Sequence, residues 1–145
     1  MSVFWSIIDN PSDPSIGLAV SVPDEHTSWP DFFTGIRVER YPAIIEAVAG
    51  EIGAHDELAG INFPAGLAQL DPTASPIPAD AVEIYVYGGE DEVLPRSTFY
   101  AVLLAFAERL LERPGQPAEW YTAMHTALDK LRAKMTADSA AAPLQ

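Results

Sequence analysis

Carboxylates are the most abundant reactive groups in this sequence, and some stand close enough together to act jointly. The acidic run at 90–92 (Glu-Asp-Glu) follows directly on Gly88 and Gly89, and Glu83 precedes those glycines. Paired carboxylates can serve as general acid and base, and carboxylate oxygens also bind Mg²⁺ or Ca²⁺. However, the 145-residue chain contains 21 Asp and Glu, so acids also become neighbours by chance, and the spacing matches no EF-hand loop. We therefore predict no catalytic residue, metal ligand or cofactor among them.

Other reactive groups are missing or unsuitably spaced. The chain has no Cys, which excludes disulfides and thiolate chemistry. His26, His55 and His125 are never three or four residues apart, which is the spacing that places two metal ligands on one helix face. Asp56 and Glu57 follow His55, but adjacent residues on a helix do not face one site. A small carboxylate-based enzyme or ligand-binding domain is therefore kept only as an alternative.

Aromatic side chains lie beside acidic ones in two segments, at 24–33 and at 85–92. Aromatic rings supply buried area at an interface, and carboxylates pair with Arg and Lys, so such a surface can bind a basic protein. The alternatives are that the aromatic residues of the first segment are core and that the acidic run at 90–92 is a solvated loop. We predict a partner-binding surface formed by Asp24, Glu25, Trp29, Asp31, Tyr85, Tyr87, Glu90, Asp91 and Glu92.

The negative charge is concentrated in the first two thirds of the chain. The net charge is −13, and residues 1–95 carry 16 acids against only Arg37 and Arg40, whereas residues 96–145 carry 5 acids against 6 bases. Such a field repels nucleic acid and anionic lipid, whose binding requires Lys and Arg. It attracts a basic protein and accelerates the encounter. We therefore expect a basic protein partner, no nucleic acid and no membrane, although acidity also serves solubility alone.

The overall character of the chain resembles that of bacterial immunity proteins, which neutralise a cognate toxin of a polymorphic or contact-dependent system. The resemblance rests on a short, acidic single domain without a reaction centre and on the acidic loops GGEDE and VPDEHTSWPDFF. It implies a toxin partner, often a basic nuclease, whose surface the immunity protein covers.

Besides the enzyme alternative, a third hypothesis is a scaffold that forms a homodimer through apolar helix surface.

Hydrophobic patterns predict the elements that must position these residues. Strands are predicted at 2–8, 16–22, 36–40 and 81–87, and helices at 29–34, 42–52, from 95 or 97 to 113, and from 117 onward. The strand at 81–87 alternates, so that Val82 and Ile84 face the core while Glu83, Tyr85 and Tyr87 face away. Residues 54–79 carry no clear pattern and are expected to form a further helical turn or a loop.

These elements predict an α+β domain: a small, mostly antiparallel sheet packed on one face by helices and ending in a C-terminal helical hairpin. The domain is expected to span residues 1–136, with a flexible tail at 137–145. The N-terminus lacks the positive region of a signal peptide, and the uncharged runs are shorter than the roughly 18 residues of a membrane span. We therefore expect a soluble protein of the cytoplasm.

Overall fold

The computed structural model describes residues 5–12, 16–24, 27–64 and 77–141, and it confirms the α+β class. Two antiparallel sheets are packed with helices. The strands are β1 (Ser6–Asp9), β2 (Leu18–Ser21), β3 (Ala54–His55), β4 (Ala59–Asn62), β5 (Ala81–Val86) and β6 (Glu92–Pro95). The helices are α1 (Phe32–Gly35), α2 (Tyr41–Ala49), α3 (Arg96–Leu111) and α4 (Ala118–Ala141), and short 3-10 helices lie at Trp29–Asp31 and Val38–Arg40.

The larger sheet has the strand order β3-β4-β5-β6, and every neighbouring pair is antiparallel. Strand β5 alternates as predicted, with Val82 and Ile84 buried. Ile61 of β4 lies opposite Ile84, and Leu94 of β6 lies opposite Val82. Because these buried residues share one face, helices α1 and α3 pack there. The smaller sheet is an antiparallel pair of β1 and β2, which lie within or next to the strands predicted at 2–8 and 16–22.

Helix α3 is the centre of the core, as its uncharged sequence predicts. Phe99, Leu103, Phe106 and Leu110, which follow one face of the helix, are all buried. It contacts β2, β5, β6 and α4, so it is enclosed on several sides. Helix α4 follows after a short loop and completes the predicted hairpin. Its buried side comprises Trp120, Met124, Ala127, Leu128 and Leu131.

Two predictions in the segment before β3 are wrong. Residues 36–40 do not form a strand; Val38–Arg40 is a 3-10 helix, and the indole N–H of Trp120 donates to the Val38 carbonyl at 2.8 Å. That contact uses a carbonyl that a sheet ladder would need. Helix α2 ends at Ala49 with Gly50 as its C-cap, so Ile52 lies outside the helix and is 62% exposed instead of joining the core.

Segments predicted as helical turn or loop contain three short strands. Strands β3 and β4 lie within residues 54–79, and β6 lies in the acidic loop before α3. Each has only two to four residues, too few to show a period, and each is held by pairing within the sheet. Residues 65–76 of the unpatterned segment lie outside the described residues.

The C-terminal helix continues past the expected domain boundary at residue 136. Helix α4 runs to Ala141, and Asp138 forms ion pairs with Arg96 and Lys134. The rest of the predicted tail, 142–145, lies outside the described residues. Across the described part of the chain, no helix has the length and apolar character needed to cross a membrane.

Candidate protein-binding surface

The side of the larger sheet that faces away from the helices carries the densest group of predicted site residues. Alternation places Glu83 and Tyr85 of β5 on this side, because their neighbours Val82 and Ile84 enter the core. Residues directly opposite in the register share a face, which adds residues from β4 and β6. We define the outer face by these residues: Gly60, Asn62, Glu83, Tyr85 and Val93.

The ring of Tyr85 lies across Gly60 of the neighbouring strand. A Cβ placed on Gly60 would stand 2.1 Å from the Tyr85 hydroxyl oxygen and 2.2 Å from Cζ, so any larger residue would displace the ring. Burial of the hydroxyl raises the pKa of Tyr85, and the nearby charges of Asp91 and Glu83 raise it further. The tyrosine is therefore partly covered by the sheet and flanked by two carboxylates.

Glu83 is oriented by a neighbour on β4. The side-chain amide of Asn62 donates to Glu83 Oε1 at 3.1 Å, and the two residues are directly opposite in the register. On the other side of Glu83 lies Val93 of β6, which is 50% exposed. The outer face thus combines an oriented carboxylate, an aromatic ring and an exposed apolar side chain.

The turn between β5 and β6 presents the remaining predicted residues of this group. The Gly89 N–H donates to the Val86 carbonyl at 2.9 Å, and Gly88 has φ of 81°, a conformation that glycine adopts without steric cost. Tyr87 is 83% exposed. Glu90 and Asp91 are exposed as well, so the turn extends the outer face with one aromatic and two acidic side chains.

Glu92 points the other way and has a structural role. Its Oε1 accepts the backbone N–H groups of Ser28 at 2.5 Å and Trp29 at 2.6 Å. These N–H groups stand at the start of the Trp29–Asp31 3-10 helix, where donors lack partners within the helix. The carboxylate is therefore hydrogen-bonded within the protein. The prediction that Glu92 belongs to the partner-binding surface is not supported by this position.

Trp29 is also misplaced in the predicted surface set. Its side chain is 3% exposed and packs edge-on against Phe33 at a centroid distance of 6.3 Å. Phe32 and Phe33 are fully buried, so the aromatic residues of this segment are core. The apolar core needs these rings, and the sequence pattern alone did not separate the core alternative from the surface one.

The first predicted segment contributes only its acids to the surface. Asp24 and Asp31 are exposed, and Glu25 lies outside the described residues. The segment reaches the β5–β6 turn through Ser28, which donates its N–H to Glu92 and stands against Gly89. The two predicted patches are thus joined through the body of the protein by Glu92.

Ion pairs and unpaired acids occupy different parts of the molecule. Residues 41–95 contain no Lys or Arg. Among the described residues, six basic side chains form ion pairs, and their acidic partners lie on the helices, on β1 and on the loops near them. No ion pair of the described part of the chain includes Glu83, Glu90 or Asp91. The outer face therefore keeps its negative charge uncompensated.

The His55-Asp56-Glu57 sequence is not assembled into a metal site. Asp56 binds Arg37 instead, accepting from Nε, from NH2 and from the backbone N–H at 2.9–3.2 Å. This hydrogen bonding lowers the pKa of Asp56 to about 2. No group of three His, Asp or Glu within the described residues is placed to hold a metal ion.

A small crevice lies beside the C-terminal end of α3. It has a volume of about 60 Å³ and is lined by Ile16, Val38, Leu110, Arg113 and Trp120, among others. Sites for small-molecule ligands usually measure several hundred Å³. This crevice is therefore too small for such a ligand. A second hollow of about 450 Å³, at Met135, Thr136, Ser139 and Ala140 of α4, is widely open to solvent and does not enclose a ligand.

Comparison of the chain with protein-family models, curated proteins and solved structures finds no match. A functional proposal therefore has to rest on the outer face and its turn. The sequence had already indicated Tyr85, Tyr87, Glu90 and Asp91 as surface residues, but Gly60, Asn62 and Val93 were not predicted because their strands were not recognised. The alternation Gly60-Ile61-Asn62 was the one signal for β4, and it covers too few residues to stand alone.

Proposed function

We propose that this protein is an immunity-type inhibitor that binds a basic toxin through the outer face and the β5–β6 turn. The supporting observation is the combination of uncompensated carboxylates and exposed aromatic surface on one side of a rigid sheet. Tyr87 and Val93 offer area that a partner would bury, and Glu83, Glu90 and Asp91 would meet its Lys and Arg side chains. The inhibitor would act by covering the toxin surface.

The sheet suits this role because it holds the side chains in place before the partner arrives. Tyr85 rests on Gly60, Glu83 is hydrogen-bonded to Asn62, and the turn is closed by its own backbone hydrogen bond. A preorganised surface loses less conformational entropy on binding. The negative field would accelerate association with a basic partner and make it sensitive to salt. We place this encounter in the cytoplasm, with which a cysteine-free chain is compatible.

The experiment uses the protein encoded next to this chain's reading frame. That protein is expressed alone and together with this chain, and growth of the host is measured. We expect it to arrest growth alone and to be neutralised on co-expression. A harmless neighbouring protein, or arrest that co-expression does not relieve, would contradict the proposal.

Two charge-matched variants locate the activity on the surface. Glu90→Gln/Asp91→Asn removes two charges from the β5–β6 turn, and Glu119→Gln/Asp129→Asn removes two exposed charges from α4. Protection should weaken in the first variant and persist in the second. Equal weakening in both would show that net charge, and not the outer face, determines protection.

A further inference from the structure

Tyr85 and the residues around it indicate which chemical group of a partner the outer face would bind. The ring is laid across strand β4 by Gly60, which leaves no room for a Cβ beneath it. The tyrosine is only partly exposed, because one side of the ring rests on the sheet. Because the ring covers Gly60 with one side and is partly exposed, its other side is a platform for a group that stacks.

The chemistry around the platform is negative on two sides. Glu83 lies on the same strand face, two residues before Tyr85, and Asn62 holds its Oε1 at 3.1 Å. Asp91 follows the turn. The pKa of the Tyr85 hydroxyl is raised chiefly by burial, and the charges of Asp91 and Glu83 raise it further. The hydroxyl therefore stays protonated and the ring stays neutral at physiological pH.

A planar cation fits this arrangement better than a compact one. A guanidinium group stacks on an aromatic face and can donate hydrogen bonds to carboxylates at its edge at the same time. An ammonium group can pair with a carboxylate, but it has no flat surface to stack. No Lys or Arg occurs anywhere in residues 41–95, so the sheet does not supply this cation from its own strands.

We propose that the outer face is an arginine-binding platform, in which a partner's guanidinium stacks on Tyr85 and hydrogen-bonds to Glu83 and Asp91. The partner is thus a basic protein whose binding segment presents an exposed arginine. Exposed Tyr87 and Val93 at the border of the platform would cover the neighbouring side chains of that segment. This inference rests on the proposed function, since it names the chemical group by which the toxin is held.

The test titrates the full chain with two peptides of equal charge, hexaarginine and hexalysine, and follows backbone amide shifts by NMR. We expect hexaarginine to bind about threefold more tightly, as a stacked guanidinium would predict, with the largest shifts at Gly60, Tyr85 and Val93. Equal affinity of the two peptides, or shifts centred on α4, would overturn the platform.

Three variants separate stacking from charge. Tyr85→Leu should abolish the preference for hexaarginine, whereas Tyr85→Phe should retain it, because the ring and not the hydroxyl stacks on the cation. Glu83→Gln should weaken binding of both peptides. A Tyr85→Leu protein that keeps the preference would refute the platform, and the amide spectrum of each variant verifies that it is folded.

Failure of this inference differs from failure of the proposed function. In one outcome, the Tyr85→Leu variant neutralises the neighbouring toxin as well as the parent does, while Glu90→Gln/Asp91→Asn does not. That result would support the inhibitor function and contradict the arginine platform. If the neighbouring protein is harmless but hexaarginine still binds more tightly than hexalysine, the arginine platform is supported and the toxin partner is contradicted.

Discussion

Two buried tyrosines, Tyr41 and Tyr100, differ in whether their hydroxyl groups are hydrogen-bonded. The Tyr41 hydroxyl donates to the Phe33 carbonyl at 2.5 Å, whereas the Tyr100 hydroxyl is buried and has no hydrogen-bond partner among the described residues. Burial raises the pKa of both groups, so both are neutral. A buried polar group without a partner costs free energy that a paired one does not.

Exchange of each tyrosine for phenylalanine should therefore have opposite effects. Tyr41→Phe leaves the Phe33 carbonyl without its donor and should lower the free energy of unfolding by about 1–2 kcal/mol. Tyr100→Phe removes an unsatisfied group and should leave stability unchanged or raise it by up to about 1 kcal/mol. Urea denaturation measures both. Similar losses in the two variants would mean that Tyr100 has a partner in solution.

Glu92 should behave as a structural residue, in contrast to its acidic neighbours. Glu92→Ala removes the acceptor for the Ser28 and Trp29 N–H groups and should cost about 2 kcal/mol of unfolding free energy. Glu92→Gln keeps one oxygen and should cost less. Glu90→Ala, at an exposed position, is the matched control and should stay within about 0.5 kcal/mol of the parent. A control that loses as much as Glu92→Ala would contradict this role.

Asp56 makes stability depend on pH in the acid range. Its pKa is about 2 in the folded protein against 3.8 for a free carboxyl, chiefly because Arg37 hydrogen-bonds to the charged form. The unfolded chain therefore binds this proton first, and the stabilisation is complete above pH 4 and is lost as pH falls through 2. Asp56→Asn should be less stable than the parent at neutral pH, and the difference should narrow towards pH 2. A difference that is constant with pH would exclude this linkage.

At the residue scale, the sequence predicted the exposure of a side chain where the residue's surroundings were local. Tyr85 and Tyr87 were placed by alternation along one strand, and Glu90 and Asp91 by the turn. Trp29 was assigned to the surface because a short aromatic run beside acids is equally compatible with core and with surface. Glu92 was assigned to the surface because its hydrogen-bond partners, the N–H groups of Ser28 and Trp29, belong to a distant segment. A contact across some sixty residues leaves no mark in local composition.

At the scale of elements, four charged side chains join the ends of three helices. Arg96 at the start of α3 pairs with Glu51 at 2.9 Å and with Asp138 of α4 at 3.3 Å, and Lys134 pairs with both acids at 3.1 Å. Glu51 follows the C-terminus of α2 with φ of 55°. Each cation contacts both anions, which forms a closed network, and networks contribute more than isolated surface pairs.

Arg96→Ala should open this network and loosen the end of α4. We expect faster amide hydrogen exchange over residues 134–141 and a loss of about 1 kcal/mol in unfolding free energy. Arg132→Ala is the matched control, because its pairs with Asp129 and Glu108 are more exposed and lie outside the network. The Arg132→Ala substitution should leave the rate of amide hydrogen exchange at residues 134–141 nearly unchanged. Equal exchange in both variants would show that the network does not hold the helix.

Elements with long patterns were predictable, and short ones were not. Alternation over β5 and the uncharged run of α3 gave the right structure, because each buries its own apolar residues in a regular period. Strands β3, β4 and β6 exist through pairing within the β5 sheet, and Gly60 and Pro95 lower their intrinsic strand propensity. The 3-10 helix Val38–Arg40 resembles a strand in sequence but is fixed by its contact with Trp120.

At the scale of the whole molecule, charge divides the protein into two parts. The helical part compensates its acids with the basic residues of α3 and α4, and the outer face does not. Solubility does not require this separation, because a protein is also soluble with basic side chains distributed over its whole surface. A surface that keeps both carboxylates and aromatic rings exposed is suited to a basic partner, and the proposed function and the arginine platform both depend on it.

The most direct test of the proposed function is hydrogen exchange of the protein alone and in the presence of the protein encoded beside it, which we propose to be the toxin. We expect the bound protein to exchange more slowly at residues 59–62 and 83–93, which include the outer face and its turn, and to exchange at an unchanged rate along α4. Protection that falls on α4, or none on the outer face, would contradict the proposed function.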